Sequence, residues 1–315
     1  MDYFEKLLLQ HRDARFLVVD PPGGKGDRLI FMGLEKKLKE LNIKYRTLRY
    51  GKKSFFLRAC TRLGRMLSKS KLKVVEVNLM YIARLIDEKA GALKGIPEDI
   101  ILFRGGAYLN DIWKEYSILD DIYRAIQHKA KVIVVIAPQS FFFRQHHIPN
   151  IFTNIKQELH IFCRERTSYD MLCSARFPKN VYVHLSHDTA LYLTEKDFSF
   201  QDRTSSYVLI APRRDIESAV TWRIEKLPRK VKILFGDITL VPDLASFVNI
   251  IANASKVYTD RLHVAILSAI LGKETYLYPN CYHKNKGVYE FSLRRFPNVS
   301  FIDSYEFPTQ TSRPI

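Results

Sequence analysis

No stretch of this chain stays apolar over the roughly 20 residues that a membrane-crossing helix needs. The N-terminal segment, MDYFEKLLLQHRDARF, has too short an apolar run and too many acids for a secretory leader. The expectation is a cytoplasmic protein with no spanning segment. Cysteine is sparse. Cys60, Cys163, Cys173 and Cys281 form no CxxC pair and no metal-like spacing, so they read as reduced thiols, mostly in the core. The GK-Ser/Thr phosphate loop and the GxGxxG dinucleotide fingerprint are both missing. There is no internal repeat and no low-complexity tract. Acid is in deficit as well: 33 Asp and Glu stand against 50 Lys and Arg, a formal charge of +17. Such a field attracts nucleic acid, a membrane surface or phosphorylated substrates, and charge alone does not choose among them.

What is present is a strand–loop–helix alternation. The chain has 315 residues and is 47% hydrophobic, enough for one large or two ordinary cores. RFLVVD (15–20) reads as a buried strand, followed by the loop PPGGKGD and a helix from RLIFMGLEKKLKEL. KYRTLRY, KVVEVNL, DIILFRGG, KVIVVIAP and ELHIFCRE are further short apolar runs, most of them ending in polar or glycine-bearing loops. This pattern implies a mostly parallel sheet covered on both faces. It breaks at TEKDFSFQDRTSS (194–206) and restarts with YVLIAP, VKILFG, ASFVNIIANAS, KVYT and ETYLYP. The expected fold class is therefore α/β, with two Rossmann-like domains facing across a cleft. The expected bounds are 1–197 and 203–303, with a tail at 304–315. Ligands of such folds bind beyond the carboxyl ends of the strands.

The polar residues at those strand ends are the candidates for chemistry. In YTDRLHVAILSAILGKETYLY, Thr259 or Asp260 can cap a helix. Leu262, Ala265, Ile266, Ala269 and Ile270 form its core face, and Gly272 ends it. Arg261 and His263 then fall at the first turn, where free N–H groups and the helix dipole favour an anion. Arg261 offers a planar fork for phosphate or carboxylate, and His263 can exchange a proton near neutral pH. A structural ion pair and a hydrogen-bonded histidine explain the same spacing. Arg164 and Arg166 follow one strand, and Arg213 and Arg214 another. Three strand ends delivering arginines toward one cleft exceed what a solvated face needs. The loops PPGGKGD (with Asp27 as a cap) and FRGGAYLND are weak signals alone. HLSHD (184–188) has no second ligand cluster to support a metal. From Arg46 to Val75 there are ten Lys or Arg and no acid. That run reads equally as a basic amphipathic helix on an anionic membrane and as a solvated helix packed on the core. No nucleic-acid module is present.

Taken together these segments resemble the polysaccharide pyruvyl transferase family, in its exopolysaccharide-biosynthesis branch, whose members have two Rossmann-like domains in a GT-B-like arrangement. GGKGDRLIFMGLEKKL, with Gly26 and Asp27, is similar to its Gly-Asp loop and first helix. FRGGAYLNDIWKEY, with Gly105, Gly106, Asp111 and Trp113, is similar to its glycine-rich loop. IAPQSFFF matches at Pro138, Gln139 and Ser140, and RERTSYDML at Arg164, Glu165 and Ser168. PRRDIE, with Arg214, resembles a strand end of the family. The most specific match is TDRLHVAILSAILGKETYLYPNCYHKNKGVYE, with Arg261, Leu262 and His263, then Tyr282, Lys284 and Asn285. Ala107, Tyr108 and Asn110 stand where the family is richer in glycine, which implies an altered acceptor pocket.

The resemblance implies transfer of the enolpyruvyl carbon of phosphoenolpyruvate onto two hydroxyls of one sugar, with release of phosphate and no cofactor or metal. It implies His263 as the acid, with Arg261, Arg164, Arg214, Leu262, Lys284 and Asn285 on the donor. Gly26, Asp27, Gly105, Gly106, Asp111, Trp113, Gln139 and Ser140 would form acceptor or cleft loops. The acceptor would be a cell-surface or polyprenyl-diphosphate-linked glycan at the inner membrane face, which segment 46–73 would suit. A GT-B glycosyltransferase using a nucleotide sugar, and a non-catalytic binder of anionic glycans or membrane, are the competing readings.

Overall fold

The computed structural model describes residues 2–49, 96–200, 206–222 and 232–307. The KVVEVNL run, Cys60 and nearly all of the basic segment 46–73 lie outside the described residues.

Two parallel sheets organise the chain. The first has strands β1 (Arg15–Asp20), β2 (Lys44–Arg49), β3 (Ile100–Phe103), β4 (Ile133–Gln139), β5 (Glu158–Cys163) and β6 (Val181–Leu185). Its order is β2-β1-β3-β4-β5-β6, and every pairing is parallel. The second has β7 (Tyr207–Ala211), β8 (Ile233–Phe235), β9 (Ala254–Thr259), β10 (Glu274–Leu277) and β11 (Val299–Phe301), in the order β11-β10-β9-β7-β8. This is the α/β architecture expected from the alternating apolar runs.

The continuous apolar runs have a simple cause. Side chains alternate between the faces of a strand, and here both faces are covered. Leu17 and Val19 of β1 enter one core with Ile101 and Phe103, whereas Phe16 and Val18 enter another with Ile100 and Leu102. The second sheet repeats the scheme. Leu209 and Val257 face one core, and Val208, Ile210 and Tyr258 face the other. Either face of each strand therefore removes apolar area from water, at about 25 cal/mol per Å².

Helices flank both sheets. Helix α1 (Tyr3–Gln10) covers the first sheet, with Phe4, Leu7 and Leu8 buried. Helix α2 (Lys25–Glu40) starts at Gly24, where Asp27 Oδ2 accepts from the Gly24 N–H at 2.9 Å. Further helices follow at α3 (Ser117–Ile126), α4 (Arg166–Cys173) and α5 (Leu244–Ala252). Helix α6 (Leu262–Ile270) and the short α7 (Lys284–Val288) belong to the second domain. The α6 core is wider than the single face expected from its spacing: Val264 and Leu267 are also buried. The reason is that α6 is packed from both sides. Leu29 and Ile30 of α2, with Ala190 and Leu193, join the same cluster, so one apolar core bridges the two domains. Within the first domain α2 also packs closely on the segment after β6, where an added Cβ at Gly33 would meet the Thr189 carbonyl oxygen at 1.9 Å.

The cysteine expectation needs correction. Only Cys163 is buried among the described cysteines; Cys173 and Cys281 are exposed. Cys173 ends α4 at the surface, and Cys281 lies in the turn before α7, so neither position faces a core.

Candidate active site

The carboxyl ends of both sheets open onto one cleft of about 580 Å³. Its walls include the β1–α2 loop and Gly106–Tyr108 from the first domain, and the β7, β9 and α7 loops from the second. Six basic side chains line it: Lys25, Arg164, Arg213, Arg214, Arg261 and Lys284. Five acids do too: Asp27, Glu115, Asp215, Glu217 and Asp237. The cleft is thus nearly charge-balanced although the chain carries +17. Selectivity for an anion has to come from the placement of individual groups here, because the bulk charge excess lies elsewhere.

His263 stands at the centre. It is the second residue of α6, and Arg261 is the N-cap, extended at φ −95° and ψ 111°. Neither Thr259 nor Asp260 caps the helix, because both precede the N-cap and no side chain makes a capping bond. Thr259 Oγ1 accepts from the Arg261 N–H at 2.9 Å and Asp260 Oδ1 from the Arg213 N–H at 2.7 Å. His263 Nε2 lies 3.3 Å from Asp188 Oδ2, a residue of the first domain. The other side of the ring is pressed against Gly26. A Cβ there would approach Nδ1 to 2.6 Å. The imidazole is therefore fixed between a carboxylate and a glycine.

Asp188 is fully buried and also takes Arg164 Nη1 at 2.6 Å. Burial favours its neutral form, but Arg164 and His263 outweigh burial and hold its carboxyl well below the usual range. The carboxylate stays charged and orients the ring. Sequence reasoning weighed HLSHD only as a metal motif and missed this role. The available signal was a second polar cluster at the end of β6. Among the described residues no group of three metal-ligating side chains assembles.

The arginines divide by task. Arg164 lines the cleft but is only 1% exposed, because its Nε donates to Ser140 Oγ at 2.8 Å while Nη1 holds Asp188. Arg166 is not among the residues lining the cleft, and its guanidinium lies 5.8 Å from the Tyr169 ring centroid. Arg261 Nη2 bonds Asp215 Oδ2 at 3.2 Å and also Asp237, and its Nε is buried without a partner. Arg213 is shared between Asp215 (2.9 Å) and Glu217 (3.0 Å). Arg214 is exposed, with its guanidinium 5.9 Å from the Phe235 ring centroid. Lys284 is buried against Glu217, with Tyr282 5.2 Å away. Burial lowers the Lys284 pKa to about 8, Arg213 and Arg164 push it the same way, and Glu217 opposes them.

The first-domain loops are built on a second buried arginine that sequence reasoning also missed. Arg104 Nε bonds Asp20 at 2.8 Å, Nη1 bonds Asp27 Oδ1 at 2.7 Å, and Nη2 donates to the Pro21 carbonyl at 3.0 Å. Burial would raise the Asp27 pKa, but Arg104 and then His263 keep it below the ordinary value. Arg104 thereby fixes the β1–α2 loop against His263. Gly106, at φ 142°, takes a backbone form closed to other residues, and an added Cβ on Gly105 would meet the Pro138 oxygen at 2.3 Å.

Of the predicted site residues, His263, Arg261, Arg164, Arg214, Leu262, Lys284, Gly26, Asp27, Gly106 and Trp113 line this cleft. Gly105, Asp111, Gln139, Ser140 and Asn285 stand behind its lining. Gln139 Oε1 accepts from the Tyr108 and Leu109 N–H groups, and Asp111 Oδ2 from the Arg144 N–H. Asn285 Nδ2 donates to the Asp260 and Tyr278 carbonyls, pinning α7 to the start of α6. Ser140 acts through Arg164.

Two parallel α/β domains thus flank a cleft that holds a carboxylate-oriented histidine and several guanidinium groups. The chain belongs to the polysaccharide pyruvyl transferase family, whose model matches residues 25–282. It is accordingly a transferase. No curated protein matches it. Among solved structures it is similar to a functional uncharacterized protein from Klebsiella pneumoniae, with a TM-score of 0.62 and 24% identity. That match covers 96% of this chain and 97% of the other. Two structures of the E. coli heptosyltransferase WaaC are more distant. The one with ADP has a TM-score of 0.44 at 10% identity, covering 94% of each chain. The one with ADP-2-deoxy-2-fluoro heptose has 0.41 at 12%, covering 86% of this chain and 91% of that one.

Proposed function

We propose that this transferase moves the enolpyruvyl group of phosphoenolpyruvate onto two hydroxyls of one sugar in a cell-surface or lipid-linked glycan. The observation that carries the reading is the Asp188–His263 pair at the start of α6, with Arg261 and Lys284 in the same cleft. The donor has a phosphate and a carboxylate, which suit several forked cations and a helix N-terminus. His263 gives a proton to the methylene carbon, leaving an oxocarbenium-like centre at C2. A sugar hydroxyl adds there, and the C2–O bond to phosphate then breaks. Arg261, Arg214 and Lys284 receive the departing charge. The second hydroxyl closes the ketal. Of the two hydroxyl protons, one restores His263 and the other leaves on phosphate, so the balance closes without a redox partner. Trp113 and the loop at Gly106 face the acceptor side.

Among the described residues no helix is long and apolar enough to cross a membrane. We place the acceptor at the inner membrane face, reached by peripheral contact.

The test is phosphate release from phosphoenolpyruvate with a panel of envelope glycans, with the ketal methyl followed by NMR. His263→Ala should fold normally and lose turnover by roughly 100-fold or more. Unchanged turnover in that variant would remove His263 from the chemistry.

A further inference from the structure

Glu217 is a buried carboxylate that neither the family match nor the chemistry above assigns. It is 1% exposed and lies in the loop after β7. Its Oε1 accepts from Trp113 Nε1 at 2.6 Å, and Trp113 belongs to the first domain. Its Oε2 takes Lys284 Nζ, Arg213 Nη1 at 3.0 Å and Asn280 Nδ2 at 3.2 Å. Its backbone is fixed at both ends. The Glu217 N–H donates to Asp215 Oδ1 at 3.0 Å, and its carbonyl accepts from the Cys281 N–H at 3.1 Å. One side chain therefore joins an indole across the cleft to two of the cations that line it.

A buried carboxylate is costly unless its oxygens are filled. Three of the four donors come from the second domain, and the fourth is the indole. Opening the cleft at this point would remove the indole and leave Oε1 short of a donor. The Trp113 backbone is itself anchored, since Asn110 Oδ1 accepts its N–H at 2.9 Å. A shift at Glu217 thus reaches the Gly106–Asp111 loop directly.

We propose that Glu217 is an interdomain positioning residue, a latch that closes the Trp113 loop onto the second domain and holds Lys284 and Arg213 in register with it. Its effect on donor binding rests on the pyruvyl-transfer reading, but the latch does not. Lys284 faces Glu217, Arg213 and Arg164, and Glu217 is the group among them that favours its charged form.

The test uses the full chain with Trp222→Phe, so that Trp113 is its single tryptophan. Emission and acrylamide quenching of Trp113 are compared with and without Glu217→Gln, and phosphoenolpyruvate affinity is measured for both and for Trp113→Phe. The latch predicts greater quenching in Glu217→Gln. It also predicts about fivefold to tenfold weaker phosphoenolpyruvate binding in Trp113→Phe, although that residue lies on the far wall. The alkaline limb of the pH–rate profile should move to lower pH in Glu217→Gln, because Lys284 loses the charge that favours its ammonium. A merely structural carboxylate would lower the melting temperature and leave that limb in place. Unchanged Trp113 quenching overturns the proposal, and so does unchanged donor affinity in a Trp113→Phe protein whose parent binds the donor. If the parent binds no phosphoenolpyruvate yet Glu217→Gln frees Trp113, the latch stands and the donor reading fails.

Discussion

Gly26→Ala is the most informative single change at this site. The added methyl would lie 2.6 Å from His263 Nδ1, 2.8 Å from Cγ and 2.9 Å from Cβ. Ordinary contacts of this type are about 3.5 to 4.0 Å, so the ring or helix α2 must retreat by about an ångström. The ring is restrained on its other side by Asp188 at 3.3 Å, and α2 is restrained by the contact of Gly33 with Thr189. The strain falls on the imidazole. A displacement near 1 Å of a catalytic group can cost about 100-fold in rate, while overpacking costs about 1–3 kcal/mol in stability. The assay is turnover of phosphoenolpyruvate beside a melting curve. Gly24→Ala is the control, because the only atom near its added Cβ is Asp27 Oδ2 at 4.0 Å. The expected result is a large loss in Gly26→Ala and a small one in Gly24→Ala. A Gly26→Ala protein with wild-type turnover would refute the claim that this glycine exists to admit His263.

Three further outcomes follow from the same geometry. Asp188→Asn should lower turnover by about 10–100-fold with phosphoenolpyruvate affinity less affected, since it removes the charge that orients His263; equal losses in turnover and affinity would count against that role. Arg261→Lys should weaken phosphoenolpyruvate binding about tenfold, because an ammonium cannot replace the fork; titration calorimetry showing equal affinity would contradict it. Asp260 is buried with one oxygen unpartnered, and burial raises its pKa from 3.8 to about 6. Its stabilising share is therefore complete below pH 4 and is lost as pH rises through 6. The stability difference between Asp260→Asn and wild type, read from melting curves, should widen in favour of the variant from pH 4 to pH 8, by about 2–3 kcal/mol. A difference that does not change with pH would sink that reasoning.

The fold was legible where both faces of a strand are buried. RFLVVD, DIILF and KVIVVIAP are apolar at nearly every position because each sheet has a core on either side. The start of α6 was legible because Arg261 and His263 are anomalous on an otherwise apolar helix. What escaped the sequence is pairing at a distance. Arg104 sits in an apolar strand end and reads as a flaw until Asp20 and Asp27 are brought to it. Asp188 lies 75 residues from His263, and Glu217 lies 104 residues from Trp113. Nothing local in either segment announces the partner. Arg164 shows the opposite case. Its place after a strand suggests a donor ligand, but in the folded chain its guanidinium is bonded to Asp188 and Ser140. The burial of α6 on nearly all sides had the same origin, because its second packing surface comes from the other domain.

The most direct test of the central claim needs no acceptor. It is a thermal-shift titration of the purified protein with phosphoenolpyruvate beside UDP-, GDP- and CMP-sugars, for wild type and Arg261→Ala. A ligand of the native state raises the melting temperature as its concentration passes the dissociation constant. Stabilisation by phosphoenolpyruvate alone, lost in Arg261→Ala, is the predicted result. Stabilisation by a nucleotide sugar alone would contradict it and make Arg261 a ligand for a diphosphate.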